Sequence, residues 1–150
     1  MSSGAAGAPL NVCADALHAF GETQMGIVVW SSAFETGVRE IDDQHRRLLG
    51  FINELNTALS DADISHILES AIDYTLYHFA FEEAVMESNG YRLLDAHKRV
   101  HDLFSRELLD LKDQYKAGKM TAGSLREALA RWLFDHISKT DTVALQSSSR

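Results

Sequence analysis

The stretch from residue 93 to residue 116, LLDAHKRVHDLFSRELLDLKDQYK, carries the pattern that decides the fold. Apolar and ligand-type side chains recur in it every three or four residues, at Leu94, His97, His101, Phe104, Leu108, Leu111 and Tyr115. Because about 3.6 residues complete one helical turn, these side chains share one face of an amphipathic helix. Gly118 follows where a glycine commonly ends a helix. The stretch therefore predicts a long helix whose buried face includes two histidines.

Three further segments have the same periodicity. Residues 40–59 place one stripe of side chains at Ile41, His45, Leu48, Ile52, Leu55 and Leu59. Residues 63–88 run to the turn signal Ser88-Asn89-Gly90 and align Ile64, Ile67, Leu68, Ala71, Thr75, His78, Glu82 and Val85. The last segment begins near residue 121 and carries Leu125, Leu129, Trp132 and His136. The chain is thus predicted to contain four amphipathic helices.

The connections between these segments are short, and short links between long helices produce antiparallel neighbours. Strand-like alternation is absent and proline occurs once, at Pro9. We therefore expect an all-α fold, an up-down-up-down antiparallel four-helix bundle with an extended N-terminal arm that includes the apolar residues 27–30. Residues 1–26 are expected to form a flexible leader and arm, residues 27–145 the helical domain, and residues 146–150 a disordered tail.

Composition limits the classes of function. The 150 residues, 45% of them apolar, suffice for one core. With 14 basic against 22 acidic residues the formal charge is −8, which argues against binding nucleic acid or an anionic membrane. The single cysteine, Cys13, excludes an internal disulfide, and no apolar run approaches the roughly 20 residues of a membrane span. No basic residue precedes Arg39, so the charged region of a secretory signal or transit peptide is missing and a cytoplasmic protein is expected. We also expect the protein to be a monomer or a weak oligomer.

Ligand-type side chains lie on the faces that the leucines turn inward. They are His45, His78, Glu82, His97, His101 and His136. Each would cost several kcal/mol if it were buried without a partner. For His45 alone, a core histidine bonded to a backbone carbonyl is the simpler interpretation, but all four helices carry such a residue on their apolar stripe. A metal ion satisfies neutral imidazoles and offsets a buried carboxylate, so a metal centre is predicted.

The spacing agrees with convergence on a metal. Residues four apart on a helix have Cβ atoms roughly 5–6 Å apart, so His97 with His101, and His78 with Glu82, can share an ion. Asp141 follows His136 by five positions, so the fourth helix must end or distort between them if both are ligands.

Other residues with ligand chemistry are expected to lie away from the metal. His18 and Glu22 have the same spacing as His78 and Glu82 but lie in the N-terminal arm, and His66 faces away from its apolar stripe. Glu83 is one position off the stripe and is expected to be a surface or supporting group. We predict that none of these side chains binds the metal.

A set of short sequence motifs occurs in a fixed order along the four segments and the residues just before them. They are Trp30, Gly37-Val38, Ile41-Asp42-Asp43-Gln44-His45, His78-Phe79, Glu82-Glu83, Met86, Tyr91, His97-x-x-x-His101, Phe104 and Trp132-Leu133-x-x-His136-Ile137-x-x-x-Asp141. Through them, from about Trp30 to Asp141, the chain resembles the hemerythrin family and its single-domain bacteriohemerythrins. It departs from that family at Arg92, where proline is common, and at residues 142–144, where a basic residue and an aromatic are common.

The resemblance implies a non-haem centre of two iron ions with a bridging oxo or hydroxo group. It assigns His97, His101 and His136 to one iron, His45 and His78 to the other, and Glu82 and Asp141 as bridges between them. The second iron then has five ligands, and the open position would bind dioxygen end-on as a hydroperoxide. The apolar wall of this oxygen pocket would comprise Leu48, Trp132, Leu133 and Ile137. The family has no separate catalytic acid, so the chain is expected not to be an enzyme.

The function that the resemblance implies is reversible dioxygen binding, for carriage, storage or delivery to an oxygen-consuming enzyme. Sensing of oxygen, redox state or nitric oxide with the same centre is one alternative. A di-iron oxidase, a peroxidase or an iron store is another, but ferritin-like sites use Glu-x-x-His motifs and no histidine here has a glutamate three residues before it. Zinc or manganese in place of iron also remains open, because imidazole and carboxylate bind several such ions.

Overall fold

The computed structural model describes residues 27–58, 60–141 and 145. A 3₁₀ turn, Ser32–Phe34, precedes four α-helices, and a short π-helix continues the last of them. Their bounds are α1 Arg39–Glu54, α2 Asp61–Ser88, α3 Leu94–Lys116, α4 Ala122–Asp135 and the π-helix His136–Asp141. No strand occurs in this part of the chain. The prediction of an all-α fold is confirmed.

The four helices pack in a closed ring. Each helix contacts the next along the chain, α1 also contacts α4, and the π-helix packs against α3. Short connections between neighbours give the up-down-up-down antiparallel bundle that the periodicity predicts.

Two helices end at glycines in the left-handed region of backbone conformation. Gly90 has φ +67° and Gly118 has φ +73°. After α2 the N–H of Tyr91 donates to the Met86 carbonyl at 2.9 Å, and after α3 the N–H of Lys119 donates to the Gln114 carbonyl at 2.9 Å. This is the Schellman pattern, in which a residue of positive φ lets the chain satisfy the last helical carbonyls. The two turn signals in the sequence are thus confirmed.

Helix α1 is shorter than the sequence predicts. The periodicity extends to residue 59, but the α-helix ends at Glu54. The Asn56 and Thr57 N–H groups donate to the carbonyls of Asn53 and Glu54, three residues back, in place of the α-helical spacing of four. Residues 55–58 already belong to the connection that leads to α2, and Leu55 nevertheless stays buried, which is why the apolar pattern continues past the helix.

The buried apolar side chains form two clusters. The smaller cluster contains Ile41 and Met86, and the larger one contains Leu48 and most of the bundle core. Ile41 lies one turn before His45 on α1, and Leu48 lies about one turn after it. The predicted metal-ligating residues therefore occupy a polar layer between two dry apolar layers.

The described part of the N-terminal arm lies against the bundle. Val28 is buried, whereas its neighbours Ile27 and Val29 are exposed, and the Asn53 side chain bonds both the N–H and the carbonyl of Val28 at 2.9 Å. Phe34 stacks on Phe134 with ring centroids 4.7 Å apart. The expected arm is confirmed over residues 27–30. The predicted leader (1–26) and tail (146–150) lie outside the described residues.

None of the helices in the described ranges is both long enough and apolar enough to cross a bilayer.

Candidate metal centre

The seven residues predicted as ligands lie together inside the bundle. Their donor atoms form two groups, in each of which all atoms lie within 4.8 Å of one another. The first group consists of His45, His78, Glu82, His136 and Asp141, and the second of Glu82, His97, His101 and Asp141. None of the seven is more than 5% exposed. All four helical segments contribute, because each carries its ligand-type residue on the face that packs inward.

The pairs spaced by four meet as their spacing predicts. On α2, His78 Nε2 lies 3.4 Å from Glu82 Oε2. On α3, the rings of His97 and His101 have centroids 4.3 Å apart. Each pair thus presents two donors to one point.

The π-helix explains how Asp141 joins the cluster. Five residues of an ideal α-helix turn through about 500°, which would leave Asp141 about 140° away from His136. The wider turn of the π-helix brings residues five apart into line. Asp141 Oδ2 consequently lies 2.6 Å from His136 Nε2. The expected distortion of the fourth helix is confirmed.

The carboxylate of Glu82 faces both donor groups with different oxygens. Its Oε1 lies 2.7 Å from His97 Nε2 and 3.0 Å from His101 Nε2. Its Oε2 lies 3.4 Å from His78 Nε2. This side chain is therefore placed to span two positions.

Asp141 spans the same two positions from the other side. Its Oδ2 lies 2.7 Å from His45 Nε2, and its Oδ1 lies 3.5 Å from His97 Nε2. Two carboxylates thus lie between two imidazole groups, an arrangement suited to bridging a pair of cations.

The polar atoms of the cluster are crowded in a way that a cation would relieve. Glu82 Oε2 and Asp141 Oδ1 are buried and accept no hydrogen bond. His78 Nε2 lies 3.1 Å from His45 Nε2 and 3.2 Å from His136 Nε2, and each such pair of nitrogens can share at most one proton. Buried lone pairs without a proton or cation are costly. Five imidazoles and two carboxylates form a donor set suited to iron, zinc or manganese.

The assignment of His136 to one ion stays a prediction. The resemblance places it with His97 and His101, whereas the nitrogen and oxygen positions group it with His45 and His78. Its ring centroid is nearly equidistant from three others, 5.5 Å from His101, 5.4 Å from His78 and 5.7 Å from His45. A small rotation of the imidazole therefore decides between the groups.

The carboxylates perturb the titration of their neighbours. Burial works against the charged form of His101, but the nearby carboxylates of Asp141 and Glu82 outweigh it and raise the pKa of His101 to about 9. The same balance raises the pKa of His97. Burial also opposes ionisation of Asp141, yet the adjacent His136 and the hydrogen bonds around it hold the pKa of Asp141 well below its usual value. Without a metal, protons take the place of cations among these groups.

Two side chains outside the cluster bond the Nδ1 atoms of its imidazoles. Gln44 Oε1 lies 2.8 Å from His78 Nδ1, and Glu83 Oε2 lies 3.3 Å from His101 Nδ1. Glu83 lies outside both donor groups, as predicted. The role of Gln44 was not predicted, although position 44 falls three residues after Ile41 and four before Leu48, and a polar residue on that stripe could have indicated it.

The four residues predicted to wall an oxygen pocket, Leu48, Trp132, Leu133 and Ile137, are all buried. A cavity of about 20 Å³ lies within the larger apolar cluster, and Leu48 and Trp132 line it together with residues such as Leu68 and Leu108. Leu133 and Ile137 are not among its described lining residues. A cavity of this volume holds about one molecule of the size of water.

The residues predicted not to bind metal have different outcomes. His66 is exposed on α2, away from the cluster, as expected. His18 and Glu22 lie outside the described residues, and so do residues 142–144.

The fold and the site together define a helical-bundle protein with a buried histidine and carboxylate cluster able to bind metal. The family model described as "Hemerythrin HHE cation binding domain" matches residues 36–146. A bacteriohemerythrin of Pseudomonas aeruginosa is 41% identical over 120 residues, which cover 78% of each chain. A bacteriohemerythrin of Methylococcus capsulatus is 34% identical over 122 residues, which cover 78% of this chain and 93% of the relative.

A solved structure agrees with these relatives. The crystal structure of a hemerythrin point mutant superposes with a TM-score of 0.70 and 31% identity, covering 81% of this chain and 97% of that one. The chain therefore belongs to the hemerythrin family.

Proposed function

We propose that this protein binds dioxygen reversibly at two iron ions held by His45, His78, Glu82, His97, His101, His136 and Asp141. The observation that supports the proposal best is that both carboxylates lie between two imidazole groups. A pair of ferrous ions supplies, when bound, the two electrons needed to hold dioxygen in reduced form. The end-on mode, the oxo or hydroxo bridge and the assignment of His97, His101 and His136 to one iron are parts of this proposal.

The surroundings of the cluster favour holding a small ligand without admitting bulk water. Ile41 and Met86 are fully buried on one side of the polar layer, and Leu48 is buried on the other. Dry walls of this kind slow the loss of bound oxygen as peroxide, because that loss requires a proton. Leu133 and Ile137 add further apolar surface to the core.

The cavity also favours a binding protein over an enzyme that activates oxygen. Two side chains that line it, Thr75 and Trp132, carry a polar hydrogen, and each of these hydrogens already forms a hydrogen bond. Thr75 donates its hydroxyl to the Ala71 carbonyl at 2.7 Å, and the Trp132 indole donates to the Phe104 carbonyl at 3.0 Å. Cleavage of an O–O bond needs a proton donor, and these residues have no hydrogen to spare.

For the cellular role, we propose carriage or storage of dioxygen in the cytoplasm and delivery to an oxygen-consuming enzyme. An acidic sequence with a charge of −8 fits a protein that avoids nucleic acid and anionic surfaces.

Cycling the iron-loaded protein between oxygen and argon tests the proposal. The reduced protein should be nearly colourless, should develop a visible charge-transfer band in air and should lose that band when oxygen is removed. An iron determination on the same sample should give two ions per chain. A protein that stays colourless and contains stoichiometric zinc would contradict the proposal. His66→Ala, at an exposed position, should behave as the unmodified chain does.

A further inference from the structure

Two imidazoles of the cluster are held from outside by partners of different charge. The Nδ1 of His78 bonds the neutral amide oxygen of Gln44 at 2.8 Å. The Nδ1 of His101 bonds the carboxylate of Glu83 at 3.3 Å. By contrast, the Nδ1 atoms of His45 and His136 are buried and make no hydrogen bond. The outer contacts therefore differ from one imidazole to another.

Both contacts orient a nitrogen toward the cluster. An acceptor at Nδ1 keeps the imidazole proton on that atom, which leaves the Nε2 lone pair for a metal. The Nε2 of His101 lies 3.0 Å from Glu82 Oε1, and the Nε2 of His78 lies 3.4 Å from Glu82 Oε2. Each outer partner thus fixes both the tautomer and the direction of its imidazole.

Gln44 and Glu83 have different effects on how strongly their imidazoles donate electrons to a metal. A carboxylate that accepts the Nδ1 proton makes the imidazole a stronger electron donor than an amide does, because it stabilises the positive charge that develops on the ring. His78 and His101 belong to different donor groups. The group that contains His101 therefore has the more strongly donating histidine.

We propose that Gln44 and Glu83 are positioning residues that set the relative affinity of the two metal positions, and that Glu83 makes binding tighter at the position that includes His101. This inference rests on the proposed function in one respect, that the cluster holds two ions. Glu83 is 23% exposed at its side chain and so partly screened by water, whereas Gln44 is buried. Outer partners of this kind typically change metal affinity by about 10–100-fold, and we expect about tenfold from Glu83.

Calorimetric titration of the metal-free full chain with Zn²⁺ tests the proposal, because zinc reports affinity without any oxygen chemistry. The unmodified chain should bind two ions in separate steps. Glu83→Gln should weaken the tighter step about tenfold and leave the weaker step unchanged. Glu87→Gln, at an exposed position one turn further along α2, is the matched control and should change neither step.

Substitutions of Gln44 should change the affinity of the weaker zinc-binding step. Gln44→Met keeps the volume of the side chain but removes the acceptor, so it should weaken the second ion about tenfold or more. Gln44→Glu should strengthen that step and narrow the gap between the two. If Gln44→Glu does not fold, titrations of Gln44→Met and Glu83→Gln still test whether each outer partner controls its own binding step.

The outcomes separate this inference from the proposed function. Two binding steps that Glu83→Gln and Gln44→Met leave unchanged would overturn the inference and leave the proposed function standing. Equal weakening of both steps, together with a lower melting temperature, would show a purely structural role and would also overturn it. Fewer than two zinc ions on the unmodified chain would count against the proposed function itself.

Discussion

At the scale of single residues, the cluster depends on which atom of each side chain faces inward. The short contacts of the five histidines with one another and with the two carboxylates all involve Nε2, while Nδ1 of His78 and His101 faces an outer partner. The carboxylates of Glu82 and Asp141 turn one oxygen toward each donor group. Loss of one member leaves several others buried without their partner, which is costly.

Replacement of one such histidine should cost the protein its metal. We expect His101→Ala to lower the iron content from two ions per chain to one or fewer, and to lower the free energy of unfolding of the loaded protein by about 2–4 kcal/mol. Metal analysis and urea denaturation measure the two effects. His66→Ala is the control, and unchanged iron in His101→Ala would contradict the assignment.

The metal-free protein should lose stability in alkaline solution. Because folding raises the pKa of His101 from 6.5 to about 9, its contribution is complete below pH 6.5 and disappears as the pH rises through 9. We expect the free energy of unfolding to fall by about 1–3 kcal/mol over that range. Urea denaturation in the presence of a chelator at pH 6.5, 7.5 and 9 would measure it. His101→Gln should make the curve shallower and leave the part that is due to His97, whose pKa is also raised, and a flat curve for the unmodified chain would refute the prediction.

At the scale of elements, the site depends on how helices begin and end. The π-helix His136–Asp141 lines up two residues five apart, and the turn at Gly90 starts α3 close to His97. The Asn53 side chain also ties the arm to α1 through Val28. Irregular backbone thus occurs where the regular helix would misplace a ligand or where the chain must reverse.

Two alanine substitutions should have opposite effects on stability. Gly90 has φ +67°, so Gly90→Ala should destabilise the fold by about 1–2 kcal/mol even though an added Cβ meets no atom within 4 Å. Gly50 lies inside α1, where its added Cβ would meet only Arg47 at 3.8 Å, so Gly50→Ala should stabilise by about 0.5–1 kcal/mol. Urea denaturation of both variants checks the signs. If Gly90→Ala and Gly50→Ala changed the free energy of unfolding equally, the positive φ at Gly90 would impose no strain on alanine.

At the scale of the whole molecule, the polar layer crosses a bundle that is otherwise apolar. The larger cluster and the smaller cluster of Ile41, Met86 and Leu145 lie on its two sides. All four helical segments contribute ligand-type residues to that layer. Ions bound there would join every helix of the bundle.

Metal binding should therefore stabilise the entire fold. The metal-free chain should melt at a lower temperature than the loaded one, and stability should rise by about 1.4 kcal/mol per bound ion for each tenfold increase of free metal above that ion's dissociation constant. Circular dichroism at several zinc concentrations measures this shift. His101→Ala should show a much smaller one. A melting temperature independent of metal would mean that the cluster does not bind the ion in the folded state.

Much of the site could be predicted from local spacing. His97 with His101 and His78 with Glu82 need only the helical repeat to share a face, and the five-residue spacing to Asp141 already required a distorted helix. The spacing of Gln44 from Ile41 and Leu48 indicates only that Gln44 faces inward. Its contact with His78 could not be predicted, because it joins two helices whose relative rotation is set by packing.

The sequence by itself determined the four amphipathic helices and the inward position of six ligand-type residues, because helical periodicity is a local property of the chain. Asp141 joined the predicted set through the family resemblance, since its five-residue spacing from His136 points it away on an ideal helix. Only the tertiary structure decided where α1 ends, which partners the imidazoles meet at Nδ1, and how Asp141 and His136 come together. These features arise from contacts between residues far apart in the chain, whose geometry depends on side-chain packing across the bundle.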